Sequence, residues 1–274
     1  MNGAPETGEA VRRNNAMRST LPLLLALALG ACDNKPSTSA APTASALAPA
    51  EKRSESAKAF EIEGAGSKAT FLMTAPVEKI HGEAADSAKG QLFVDPADIG
   101  KTSGLIQIDL DKLVLYQQKR EDEKGEYGER VKSDKQNEHA KAWLEISADA
   151  PADQRELNRW VEFRIDKVIE TSASDLSKLT GAERKITATV EGELRVHQRK
   201  VKKQAKVEAT FKYDGDKPVS VTIKTAAPVV VDLEAHDVRP RELFGKLAQK
   251  TLSDLGQKVA KEAPIELQLS ARLK

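Results

Sequence analysis

The sequence predicts an all-β domain with minor helix, an antiparallel barrel of eight to ten strands. Three observations lead there. Apolar residues recur with period 2 over most of the chain after residue 60, the pattern of strands with one face toward a core and one toward water. A hairpin dipeptide, Asp214-Gly215, joins two such runs. And so many one-sided strands can protect their edges by closing on themselves.

The strands are legible one by one. Short ones are expected near Thr70–Met73, Val77–Gly82 and Gln91–Val94. Ile106, Ile108 and Leu110 alternate with Gln107, Asp109 and Asp111, and Val161, Phe163 and Ile165 alternate with Glu162, Arg164 and Asp166. From Ile186 to His197 every even position is apolar or small and every odd one polar. Val201, Ala205, Val207, Ala209, Phe211 and Tyr213 share the next inner face, with Lys203 out of phase, which suggests a bulge or a later start. Asp214-Gly215 favours a type I′ turn, which places Val219, Val221 and Ile223 on the returning strand. Val229, Val231 and Leu233 follow, and Ile265, Leu267, Leu269 and Leu273 form the last strand after Pro264.

Two segments leave this pattern. A charge-dense stretch beginning Lys119-Arg120-Glu121-Asp122-Glu123-Lys124 leads into an inserted helix near 134–147, through Ala142, Trp143, Leu144 and Ile146. In residues 241–262, Phe244, Leu247, Ala248, Leu252, Leu255 and Val259 fall at helical spacing between Pro240 and Pro264. That apolar stripe is read as a plug or cover for one barrel end.

Composition narrows the function. Charged residues make up 31% of the 274-residue chain and mean hydropathy is −0.49, which describes a globular body and not a multi-span membrane protein. Residues after Ala31 hold 40 basic and 40 acidic side chains, without the net basic footprint of a nucleic-acid binder. Aromatics at 4% also argue against base-stacking platforms. The single cysteine excludes an internal disulfide and any multi-thiolate metal site.

That cysteine closes the N-terminal targeting segment. Arg18 precedes an apolar run, Leu21 to Leu29, which is nine residues against the roughly 20 that span a bilayer. Leu29-Gly30-Ala31-Cys32 resembles the lipobox of bacterial lipoproteins, in which the cysteine is acylated and becomes the mature N-terminus. Residues 1–31 are thus expected to be a lipoprotein signal peptide, with translation starting at Met1 or Met17. Residues 32–59 read as the lipidated Cys32 and a disordered Ser/Pro/Ala-rich tether, of which the 26 residues from Asp33 to Lys58 would reach about 28 Å as a flexible coil. Residues 60–274 form one domain. The expected location is the cell envelope, facing the periplasm and held to either the inner or the outer membrane through Cys32.

No catalytic chemistry is encoded. His81, His139, His197 and His236 each stand alone, without metal-ligand spacing, and His197 lies on the polar face of its strand, where a solvated rim position is expected. Gly64-Ala65-Gly66 lacks a third glycine and reads as a turn. No nucleophile elbow or phosphate-binding loop is present, so the expectation is no enzyme, no cofactor and no metal.

The order of features resembles the YceI-like family. The opening strand Ser67-Lys68-Ala69-Thr70-Phe71-Leu72, then Ile80-His81-Gly82, Asp95-Pro96, the Gly104-to-Leu110 run, Val190 to His197 and Phe244-Gly245 fall in that family's order, across roughly Ser67 to Leu273. Asn137-Glu138-His139 echoes its Arg-Asp-x-His helix start, while Gln198-Arg199-Lys200-Val201-Lys202 replaces its Gly-Val-Thr-Lys-Pro. The resemblance implies a lipocalin-like barrel that binds a polyisoprenoid or fatty-acyl amphiphile, non-catalytically. The inward faces then nominate Ile106, Ile108, Leu110, Val161, Phe163, Ile165, Val190, Val207 and Phe211 as ligand contacts. The alternative is a structural or interaction lipoprotein with a filled barrel; excess interior volume decides for the first.

Overall fold

A computed structural model of the chain describes residues 45–239 and 261–274. The signal peptide and Cys32 lie outside these residues, as does the expected 241–262 helix but for its last two positions. At those positions Lys261 is a bend and Glu262 already belongs to the final strand.

Eight antiparallel strands close a ring. In ring order they are β1 (Lys58–Ala75), β3 (Ala88–Val94), β4 (Ser103–Asp109), β7 (Trp160–Thr171), β8 (Glu183–Val196), β9 (Arg199–Asp214), β10 (Lys217–Thr225) and β12 (Glu262–Leu273), which pairs back onto β1. Four more strands are added outside the ring: β2 (Glu78–Ala85), β5 (Leu113–Lys119) and β6 (Val131–Lys132) extend from β1, and β11 (Val229–Asp232) pairs with β12. The described total of twelve exceeds the expected eight to ten by β5, whose continuous apolar run Leu113-Val114-Leu115-Tyr116 does not alternate, and by β6, which has only two residues.

Closure depends on β1. Its first half pairs with β3 and β12; after a register shift between Glu63 and Lys68 its second half pairs with β12 and β2. The Gly64-Ala65-Gly66 segment, expected as a turn, makes this shift inside the strand, with Gly66 at φ 80°. Beyond Phe71, β1 leaves β12 and continues with β2 and β5 as a tongue past the barrel end. Gly82 is required there, because the Phe71 ring occupies the place where a Cβ would stand.

Three local expectations are corrected. Lys203 causes no bulge: β8 and β9 pair without interruption from Glu183–Lys212 to Val196–Arg199, so its side chain simply takes the inner side. At the Asp214 hairpin only Gly215 has positive φ (58°), so the turn is not type I′; the hairpin with two left-handed loop residues is instead His197-Gln198, at 47° and 60°. The inserted helix, α1 (Asp134–Trp143), starts as expected but ends four residues early, at the left-handed Glu145, and a second helix, α2 (Ala152–Asn158), follows it.

The two ends of the barrel differ. At one, where β1 begins and β4 begins, the loops after β3 and β7 are bonded to each other, Ile99 N–H to Ser174 O (2.8 Å) and Leu176 N–H to Pro96 O (2.7 Å). Leu176 is fully buried there, capped by the Arg184 guanidinium, which donates to the Leu176 carbonyl (2.9 Å) and stacks on Tyr213 at 3.6 Å. Phe60 and Phe211 meet edge to face beneath it. At the other end stand the tongue, α1, α2 and the loop after β11.

Part of the expected tether is not free. Residues 45–57 lie against the barrel wall, with Leu47 and Ala57 buried.

Candidate binding cavity

The interior holds a cavity of about 1100 Å³. Protein cores normally leave few voids larger than a water, so the described side chains do not fill this barrel. All nine sequence-nominated residues line it: Ile106, Ile108 and Leu110 from β4 and the turn after it, Val161, Phe163 and Ile165 from β7, Val190 from β8, and Val207 and Phe211 from β9. Period-2 alternation found them because neighbouring strands run in matched register, Ile106 opposite Phe163 and Ile108 opposite Val161. Leu110 sits in a 3-10 turn, Leu110–Lys112, yet still faces inward.

The strands of the tongue near 70–73 and 77–82 and the inserted helix were expected, but not as parts of the lining. Ala69, Phe71 and Met73 of β1, Ile80 of β2, and Leu113 and Leu115 of β5 extend the apolar lining beyond the ring. Strands were legible around Phe71 and Ile80, but nothing in their pattern says that they continue past the barrel with the same face inward, and the unbroken apolar run at Leu113–Tyr116 showed no face at all. His139 and Trp143, stacked at 6.2 Å and 9°, add a helical wall.

Polar lining residues gather at this end. Glu78, Gln117 and Lys119 come from the tongue, and Ser133, Lys135 and Gln136 from the start of α1. The Glu78 carboxylate accepts hydrogen bonds from the side-chain amides of Gln117 and Gln136. Lys119, Lys135, Thr74 and Pro76 are exposed to solvent, whereas Leu92, Ile99 and Phe211 at the far end are buried, so the cavity opens between tongue and α1. Asn137 sets this mouth: its side-chain oxygen accepts from Leu115 N–H (2.9 Å) and its amide donates to Leu115 O (3.0 Å), docking α1 on the edge of β5 as a strand would. Ser133 caps the helix by accepting from Gln136 N–H (3.3 Å).

Beside the mouth, Arg159 at the end of α2 forms a bidentate pair with Asp109 (2.8 and 2.6 Å), which holds that carboxyl below its ordinary range. His197 is not on a solvated rim; it is 2% exposed. Its Nδ1 donates to the His236 carbonyl (3.2 Å) and its Nε2 lies 2.9 Å from a Glu145 carboxylate oxygen. His236 is fully buried, and desolvation holds its imidazole below the ordinary range. His81 bonds Gln118 on the tongue. Among the described residues no three metal-ligating side chains gather at one point.

No family model and no curated protein matches the chain. Among solved structures it is similar to a polyisoprenoid binding domain from Saccharophagus degradans implicated in plant cell wall breakdown, at 11% identity and TM-score 0.47 over 79% of this chain and 99% of that one. It is also similar to BcnA of Burkholderia cenocepacia, at 15% identity and TM-score 0.42 over 74% and 95%. The fold assignment rests on the chain's own strand register: an antiparallel eight-strand barrel with helices at its open end, the architecture that the YceI-like resemblance implies.

Proposed function

We propose that the protein is a non-catalytic, lipid-anchored cell-envelope protein whose barrel holds one polyisoprenoid or fatty-acyl amphiphile. The observation that carries this reading is the cavity, mostly apolar along its length, with its charged and amide side chains gathered at its mouth. An apolar chain entering it leaves water at about 25 cal/mol per Å², less the cost of association, while a polar headgroup stays among Glu78, Gln117, Lys119 and Gln136. The interaction-module reading needs a filled interior, and a cavity of about 1100 Å³ among the described residues favours the binding reading over it. The anchor is Cys32, acylated after export across the inner membrane, with the barrel on the periplasmic side.

Native mass spectrometry followed by organic extraction, on the chain from residue 33 onward purified without detergent, tests the binding. A stoichiometric adduct that extracts as an apolar chain is the expected result. A clean apo mass, with no uptake of added polyprenyl or fatty-acyl probes, overturns it. Mass analysis of the membrane-extracted N-terminus tests the anchor: diacylglycerol on Cys32 is expected, and its persistence in Cys32→Ser would exclude that residue.

A further inference from the structure

Residues 45–57 run as a strap along the outside of the barrel, pinned at both ends. The upper pin is Leu47, 3% exposed, whose N–H donates to Glu162 Oε2 at 2.8 Å. Glu162 is itself locked by Gln107 (2.7 Å) and Arg195 (3.2 Å), and the Glu162 and Arg195 side chains are both 1% exposed. The middle is held by Ser103 Oγ donating to the Glu51 carbonyl (2.5 Å). The lower pin is Asp95, which accepts from Ser54 Oγ (2.6 Å) and Ser56 Oγ (2.7 Å) just before β1 begins.

These pins have a direction. Glu162 and its partner Gln107 lie near the start of β7 and the end of β4, at the open end; Ser103 and Asp95 lie at the start of β4 and after β3, at the closed end. From Leu47 to Glu51 the strap covers the same four-residue step as Gln107 to Ser103, about 13 Å at strand rise. The chain therefore leaves the barrel beside the mouth. Without the strap it would leave at Lys58, at the closed end, with the mouth turned the other way.

We infer that this strap orients the barrel, so that the open end faces the lipid surface holding Cys32 and the ligand passes between that surface and the cavity. The inference rests on the lipid-anchor and binding readings above. Whatever path they take, the thirteen residues from Asp33 to Ser45 span at most about 45 Å, so the mouth stays within that reach of the anchor point. The exposed apolar residues Leu72 and Val77 on the tongue, which projects from this end, suit a lipid surface.

The single cysteine makes the test site-specific. The chain from Cys32 onward is coupled through its thiol to maleimide-headgroup lipids in phosphatidylcholine vesicles that also contain doxyl-labelled lipid. Trp160→Phe leaves Trp143 as a reporter at the mouth; Val219→Trp in a Trp143→Phe/Trp160→Phe background reports the closed end. Trp143 is expected to be quenched at least threefold more than the closed-end reporter. In a strap-released variant, Leu47→Asp with Ser54→Ala and Ser56→Ala, that difference is expected to vanish. Uptake of a fluorescent polyprenyl probe from the protein's own vesicle should also slow at least fivefold, with unchanged probe affinity in solution. Equal quenching from both ends, or a released variant that quenches and transfers as the parent does, overturns the orientation. If the parent binds no probe in solution, the binding reading fails by itself, and the quenching comparison still decides the orientation.

Discussion

At the closed end Phe60, Leu176 and Ile99 pack against one another with every side chain buried, and two loops are bonded across the opening. At the open end α1, α2, the tongue and the loop after β11 surround a cavity, and all five described non-glycine residues with left-handed backbone are found there: Asp86, Glu145, His197, Gln198 and Asp237. Each such residue costs on the order of 1 kcal/mol. One end is thus built for stability and the other holds strained turns and empty volume. Binding proteins place mobility and ligand access where local stability is lowest, and this barrel separates the two along its axis.

The largest expected effect comes from removing a closed-end side chain. Phe60→Ala should cost about 3–5 kcal/mol, read as a shift in denaturant midpoint, because the ring is fully enclosed and its neighbours cannot collapse into the space. Phe163→Ala removes the same atoms from a residue already beside the cavity and should cost clearly less, since fewer contacts are lost. Equal losses at the two positions would mean that the cavity is packed in solution.

Adding volume should sharpen the same contrast. Ala271 is fully buried between β1 and β10, and Ala271→Phe should destabilise by about 1–3 kcal/mol or more. Ala205 faces the cavity from β9, so Ala205→Phe should stay within about 1 kcal/mol of the parent while reducing uptake of an apolar probe several-fold. Thermal melts with and without probe check both; an Ala205→Phe variant that the probe stabilises as much as the parent would place the ligand elsewhere.

The barrel wall was readable because alternation is a local property: Ile106 to Leu110 and Val161 to Ile165 declare their inner faces without reference to each other. What closes the ring was not readable. It depends on a register shift hidden in Gly64-Ala65-Gly66, and on β12 returning to β1 from about 200 residues away. His197 shows the limit from the other side. Its strand phase says polar face, but the strand ends there in a two-residue turn with positive φ, and the loop after β11 buries the ring. The strap escaped for a related reason: Leu47 is a lone apolar residue in a Ser/Pro/Ala-rich stretch, and no period marks it. Gln198 stands where the YceI-like pattern has glycine. Hydrogen bonds to Asn158 and Gln154 hold its left-handed backbone in place of glycine's freedom.

The smallest expected effect is a difference in acid sensitivity between the ends. At the open end, burial lowers the His236 imidazole pKa, with the nearby Lys203 acting in the same direction, so the folded state binds that proton less readily than the unfolded chain. Its contribution is fully present above the ordinary value of 6.5 and is lost as pH falls from there through the depressed folded value. At the closed end, burial would raise the Asp95 carboxyl, but the Ser54 and Ser56 hydroxyls and the N–H groups of Ala97 and Asp98 outweigh it and hold it below 3.8. That contribution survives mild acid and is lost only as pH falls below 3.8 through the lowered value. Hydrogen exchange, corrected for intrinsic rate, should therefore show Val196–Arg199 and residues 232–238 losing protection first, as pH falls below 6.5, while residues 95–103 and 174–184 keep theirs until pH falls below 3.8. His236→Gln should abolish the first loss and leave the second. Simultaneous loss at both ends, unchanged by that substitution, would mean that the barrel opens as one unit and that its two ends are not separately stabilised.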